Sequence, residues 1–243
     1  MKKKFFIGTS GWNYPHWKGS FYPSDIPKKK WFEHYCENFN TVEINYSFYQ
    51  WPKQDTLKKW FDESPAGFKF TIKAPRTITH IKKLIDSSKY VDRFYSLTKA
   101  LKTKMGCHLF QLPPSFKKTK HNFEKLKKFL EALDARKDNA VEFRHKDWWS
   151  KEIFDLFENN KISFCTVAGL GMPDDIIYTY RTSYFRFHGD NYSSSYSKDV
   201  IKKYAQTMND FKGIKTYAYF NNDMNAYAPR NALQLIRELG PAR

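Results

Sequence analysis

Eight short β-branched and aromatic runs recur along the chain, each leading into a polar or Gly/Pro-bearing turn: FFIGTS, TVEINYSFY, FKFTIKAP, CHLFQLPP, AVEFRH, ISFCTVAG, YFRFHGD and TYAYFNND. Between them lie amphipathic stretches such as NFEKLKKFLEALD. There Phe123, Leu126, Phe129, Leu130 and Leu133 repeat at the spacing of one helix face. Strand candidates alternating with helix candidates predict parallel βαβ units. Eight strands close a (β/α)8 barrel, and 243 residues suit one. An open doubly wound sheet is the competitor, but no glycine-rich phosphate loop opens its first helix. No linker or low-complexity segment divides the pattern. The sequence predicts a single α/β domain, a TIM-like (β/α)8 barrel over residues 1–243.

Strand alternation then sorts the side chains. Val42, Ile44, Phe70, Ile72, Val141, Phe143, Phe185 and Phe187 should face the helices. The barrel interior should receive Glu43 and Asn45, Thr71 and Lys73, Glu142 and Arg144, and Arg186 and His188. These positions lie toward the carboxyl ends of their strands, where barrel enzymes build their sites. A buried charge is expensive unless paired or used, and a purely structural ion-pair network adds little stability. The set therefore reads as a functional mouth.

Arg144 and Arg186 offer planar forks for phosphate or carboxylate, and Lys73 adds a third positive group. Glu43 or Glu142, with its pKa raised by burial, would be the general acid or base, and His188 its proton partner. His80 is a further candidate for proton transfer. Two arginines and a lysine interleaved with these groups repel a cation, so a divalent metal is possible but not favoured. No motif calls for an organic cofactor.

The loops bring aromatic surface, including Trp12 and Tyr49, suited to stacking on bases or sugars. After the eighth strand candidate, Asn221 and Asn222 precede a segment that leads through Asn231 into the last helix. Amides beside a helix N-terminus suggest a phosphate seat.

The net charge of +17 permits contact with nucleic acid or other polyanions. Only nine of the 42 basic residues are Arg, however, and lysine-rich helix faces give the same number without a partner. Cys36, Cys107 and Cys165 match neither metal nor disulfide spacing and read as reduced residues. The opening MKKKFFIGTSGW is too short in apolar residues for a signal-peptide core, and no stretch suits a bilayer span. A cytoplasmic protein without a membrane partner is expected. The oligomeric state is not legible.

Taken together and in order, GTSGWNYPHWKGSFYP, FNTVEINYSFYQWP, FKFTIKAPRTITH, FQLPPSF, VEFRHKDWW, RFHG and YFNND with APRNALQL resemble the YecE-like barrels, domain-of-unknown-function family 72. The resemblance implies a TIM-like barrel and a set of polar positions: Glu43, Asn45, Lys73, Thr79, His80, Glu142, Arg144, Arg186, His188, Asn221, Asn222 and Asn231. It implies no activity. Two positions depart from the family pattern. Ala168 stands where an acidic residue is usual, and Asp190 where a basic one is.

Three functions are open at this point. The leading one is an enzyme that binds an anionic, phosphate-bearing substrate, nucleic acid included, and hydrolyses a phosphoester. A non-catalytic nucleic-acid-binding module is the second, and a sugar-binding or sugar-modifying barrel the third.

Overall fold

The computed structural model describes residues 3–240; residues 1–2 and 241–243 of the expected span lie outside it. Its eight strands are β1 (Lys4–Thr9), β2 (Thr41–Ile44), β3 (Lys69–Lys73), β4 (Met105–Gln111), β5 (Asp138–Glu142), β6 (Ser163–Gly169), β7 (Thr182–Gly189) and β8 (Lys215–Phe220). All pair in parallel, in the order β1-β8-β7-β6-β5-β4-β3-β2. The barrel expected from the repeat is the barrel formed.

Seven α-helices among the described residues surround it: α1 (Trp31–Asn38), α2 (Gln54–Glu63), α3 (Ser88–Thr98), α4 (Lys120–Glu131), α5 (Lys151–Asn159), α6 (Lys198–Asp210) and α7 (Tyr227–Leu239). In α4 the buried face is Leu126, Phe129 and Leu130, and the Thr119 hydroxyl accepts the Asn122 N–H at its start. Ser197 caps α6 on Val200 in the same way. Between β6 and β7 an extended segment replaces the helix. The Thr179 hydroxyl accepts from Phe164 N and donates to Ile162 O, fastening that segment along β6.

Alternation holds across the sheet. The eight side chains expected to face the helices are all buried in one large outer cluster, with Leu126, Ile153 and Leu235 among the helical residues opposite. A second cluster fills the interior with Phe6, Cys107, Leu109, Val167, Tyr184, Tyr217 and Tyr219. Local bounds differ from expectation at three places. TVEINYSFY leaves the sheet at Asn45, which turns into helical backbone before a 3-10 turn, Tyr46–Phe48, held by the Ser47 hydroxyl on Ile44 O and Lys73 O. AVEFRH leaves the ladder after Glu142. The helical stretch 90–104 ends as an α-helix at Thr98 and continues as a 3-10 segment kinked at Lys102, whose φ is 44°.

The barrel closes unusually between β1 and β2. Among the described residues their backbones meet at a single bridge, Ser10 to Glu43, with Gly11 N on Glu43 O at 2.8 Å. Lower down, side chains replace the ladder. Asn40 accepts from Ile7 N at 3.2 Å and donates to Phe5 O at 2.8 Å, while the Tyr35 hydroxyl accepts from Thr9 N and donates to Thr41 O, both at 3.0 Å. Gly8 permits this approach, since a Cβ there would lie 2.2 Å from Thr41 O. Tyr35→Phe would strand two buried backbone groups, so urea unfolding should show a loss of about 1–3 kcal/mol. Amide exchange at Thr9 should quicken with it. Unchanged exchange at Thr9 would mean that the seam does not depend on this hydroxyl.

Candidate active site at the barrel mouth

At the carboxyl end of the barrel, Arg186 from β7 is 1% exposed and sits between two carboxylates. Its Nη2 donates to Glu43 Oε1 at 2.6 Å and its Nη1 to Glu142 Oε2 at 2.5 Å. Glu43 also accepts from Ser10 Oγ at 2.7 Å and the Tyr184 hydroxyl at 2.6 Å. Glu142 further accepts from Arg144 Nε, and His188 Nε2 lies 3.4 Å from it. Arg144 reaches on to the Tyr192 hydroxyl at 2.9 Å and to His188 at 3.2 Å, and Asn221 meets His188 Nδ1 at 3.2 Å.

This wiring corrects the acid–base expectation. Burial pulls both glutamate pKa values up, but Arg186 and the hydrogen bonds overcome it at Glu43, and Arg144 with Arg186 overcomes it at Glu142. Both end below the ordinary range and stay carboxylates, so neither is a raised-pKa acid. Arg186 is held well above its ordinary value by the two carboxylates despite burial. Both its Nη groups are spent on them, so it is a poor phosphate fork. His188 is fully buried, and burial with the nearby arginines brings its pKa to about 3 against the pull of Glu142. It is a neutral wall group behind Arg144, not a proton partner within reach of a ligand.

In front of this wall opens a cavity of about 500 Å³. Of the expected residues, Asn45, Tyr49, Lys73, Arg144, Arg186 and Asn221 line it, with Phe48, Gln111 and Tyr192 among the others. Lys73 Nζ lies 4.1 Å from the Phe48 ring centroid and makes no hydrogen bond or ion pair among the described residues. Burial, then Arg186 and Arg144, lower its pKa to about 7, with Glu142 and Glu43 opposing.

Other candidates lie elsewhere. Thr79 Oγ1 and His80 Nδ1 are 2.8 Å apart behind Phe48, and His80 packs on that ring; burial and Lys73 bring its pKa to about 4. Asn222 and Asn231 are not a phosphate seat. Helix α7 begins at Tyr227, so Asn231 lies one turn inside it. Its Oδ1 accepts from Asn222 Nδ2 at 2.9 Å and Tyr196 N at 3.2 Å, clamping the loop before α6. Trp12 packs on Phe32 and Trp60 and does not line the mouth cavity, but borders a neighbouring depression that shares Tyr14 and Asn45 with it. Ala168 and Gly189 adjoin a separate depression beside α6.

Among the described residues, no group of three or more His, Cys, Asp or Glu side chains is disposed to hold a metal ion. No helix among them is long and apolar enough to cross a membrane. The three cysteines are free, with Cys107 and Cys165 buried. The amino-terminal end of the barrel carries its own basic ring, where Lys99, Lys102, Arg136, Lys137, Arg181 and Lys215 border a cavity of about 330 Å³ containing one carboxylate, Asp138. Burial and then the neighbouring Lys215 and Lys4 lower the pKa of Lys69 there.

The family model described as "Protein of unknown function DUF72" matches residues 6–243. The chain belongs to this family. UPF0759 protein YunF of Bacillus subtilis is 31% identical over 269 residues, covering 96% of this chain and 94% of that protein. UPF0759 protein YecE of Escherichia coli K12 is 29% identical over 146 residues, 60% of this chain. That match spans only 50% of the YecE protein's length. A solved DUF72 protein from Thermotoga maritima superposes with a TM-score of 0.90 at 29% identity, over 98% of this chain and 100% of that one. A glycoside hydrolase family 5 enzyme from Prevotella bryantii, at 11% identity and a TM-score of 0.53 over 98% and 99% of the chains, shares the barrel fold alone.

The network sets the acid stability. As pH falls, the unfolded chain protonates its histidines near 6.5, while buried His188 and His108 resist until about 3, and the glutamates likewise hold out below their ordinary range. The unfolded state binds more protons throughout, so stability falls on acidification. The urea midpoint should drop between about pH 7 and about pH 5. A flat profile would mean that His188 and His108 are charged in the fold. Arg186→Met, which leaves buried Glu43 without an ion pair and Glu142 with Arg144 alone, should cost about 3–5 kcal/mol by the same measurement.

Proposed function

We propose that the protein is an enzyme that takes a small anionic, phosphate-bearing substrate into the barrel mouth and exchanges protons with it through Lys73. The observation that carries this reading is Lys73 itself, an unpaired amine lining a 500 Å³ cavity beside Arg144. An arriving anion supplies the partner that the amine lacks and favours its charged form. Arg144, whose Nη groups meet only the Tyr192 hydroxyl and His188 rather than carboxylates, gives a second cationic contact, Asn221 and Gln111 offer amides, and the exposed Tyr49 ring offers a stacking face. Arg144 and Lys73 support half of a phosphoester hydrolysis, charge stabilisation and protonation of the leaving oxygen. The water-activating half finds no free base, because Glu43 and Glu142 are bound by arginines. The same wiring argues against a glycosidase, which needs one raised-pKa carboxylic acid. The three free cysteines suit a reducing, cytoplasmic setting.

Calorimetric titration with phenyl phosphate tests the reading. Arg144→Ala should weaken binding about tenfold or more, the worth of a charge-assisted hydrogen bond. Binding of sulfate, which does not titrate in this range, should weaken as pH rises through about 7 and Lys73 loses its proton. Equal affinity for wild type and Arg144→Ala, with no pH dependence for sulfate, would overturn it.

The ring at the amino-terminal end of the barrel favours a second reading, a nucleic-acid contact. In anisotropy titrations with a short labelled oligonucleotide, affinity should then fall with salt by about 0.9 log units per log unit for each phosphate neutralised. Lys102→Glu with Arg181→Glu should weaken it, and Arg144→Ala should leave it unchanged. Loss of binding with Arg144→Ala instead would move the contact to the mouth.

A further inference from the structure

We propose that Lys73 is a covalent site, at which Nζ condenses with the carbonyl carbon of a small anionic aldehyde or ketone to form an imine. This rests on the reading of the mouth as an anion pocket and adds the bond made within it.

Three features of the geometry converge on this amine. Lys73 ends β3 and lines the cavity, so a ligand seated there meets Nζ directly. No carboxylate holds its proton, because Glu43 is bonded by Arg186, Ser10 and Tyr184, and Glu142 by Arg186 and Arg144. A lysine needed only for its charge would sit in an ion pair with one of them. The Phe48 ring, 4.1 Å from Nζ, covers it with an apolar face rather than with an acceptor. The charged and titratable groups around it are Arg186 on β7, Glu142 and Arg144 at the end of β5, Glu43 on β2 and His80 beyond β3. With burial, their balance leaves much of the amine unprotonated near neutrality. A desolvated lysine next to other cations is the arrangement that activates an amine as a nucleophile.

The step balances without an oxidant or reductant. The Nζ lone pair attacks the carbonyl carbon, the C=O π pair moves to oxygen, and that oxygen takes a proton to give a carbinolamine. The Tyr192 hydroxyl oxygen already accepts from Arg144 at 2.9 Å, which leaves its own proton for the carbinolamine oxygen. Of the two protons on the attacking nitrogen, the first returns to the Tyr192 oxygen and the second goes to the departing hydroxyl as the C–O bond breaks. One water leaves and C=N remains.

Reductive trapping tests this on the full chain. The protein is incubated with glyoxylate, an anionic aldehyde, or with glycolaldehyde, a neutral one, in the presence of cyanoborohydride, and adducts are located by peptide mass mapping. Lys73 is one of 33 lysines. At neutral pH it should carry at least tenfold more glyoxylate adduct than any exposed lysine, with a rate that rises through about pH 7. Inorganic phosphate should suppress the label in wild type, a readout that needs no variant. Lys73→Arg should abolish it while keeping a cation in the mouth. Adduct spread over surface lysines with Lys73 not enriched overturns the imine, even where phenyl phosphate still binds the mouth. Enrichment of Lys73 with both aldehydes alike, untouched by phosphate, upholds the imine and removes the anion pocket instead.

Discussion

Arg186 sits where three strands that are far apart in the sequence bring their charges to one point, and most of the mouth is arranged by what it binds. Its guanidinium joins Glu43 on β2 to Glu142 on β5 from its own place on β7. A buried charge of either sign would be costly alone, and here each has its opposite within hydrogen-bond reach. The arrangement spends most of the charge inside the wall. Two carboxylates and two guanidiniums largely satisfy one another, and an entering molecule meets the groups left over: Lys73, the outward part of Arg144 and several amides. The network thus sets which side chains are free by deciding which are already engaged.

The sheet was legible because alternation is a short-range rule with few exceptions in a barrel. One parity placed Val42 and Ile44 outside and Glu43 inside, and the same rule reached Arg186 and His188. Tyr184, two residues before Arg186, and Gln111, two after Leu109, were equally open to it, but neutral side chains draw less notice than charges. What parity cannot say is how far a strand continues or whom a side chain meets. Asn45 leaves the sheet although its position implied a strand. Asn222, Asn231 and Trp12 carry the right chemistry but are bonded or packed elsewhere, because their partners come from segments distant in sequence, while Thr79 bonds its own neighbour His80. The glutamates show the same limit in energy. Burial alone argues for raised pKa values, and only the positions of Arg144 and Arg186 reverse the sign.

The two ends of the barrel differ in how their charge is disposed. At the carboxyl end, cations and anions are wired together beside a cavity that the exposed Tyr49 ring helps to line. At the amino-terminal end, Lys99, Lys102 and Arg181 border a cavity without an ion pair, while Asp138 pairs with Lys215 and Asp134 with Arg136 and Lys137 among the described residues. The net charge of +17 is therefore a poor guide to the mouth, where opposite charges are close to balanced.

The seam between β1 and β2 has a consequence for how such a chain is made. Neighbours in sequence, these strands share one bridge and a few side-chain stitches, whereas β1 holds a six-pair ladder with β8, the last strand to be synthesised. As the polypeptide emerges, its first strand finds only that bridge and those stitches on β2, and no ladder, until nearly the whole of the rest exists. Ser10 and Gly11, at the end of that strand, are also the residues that reach Glu43. Docking the first strand is therefore the clasp that shuts the cylinder and the act that completes the Glu43 end of the charge network, so maturation of the fold and of the pocket is one event.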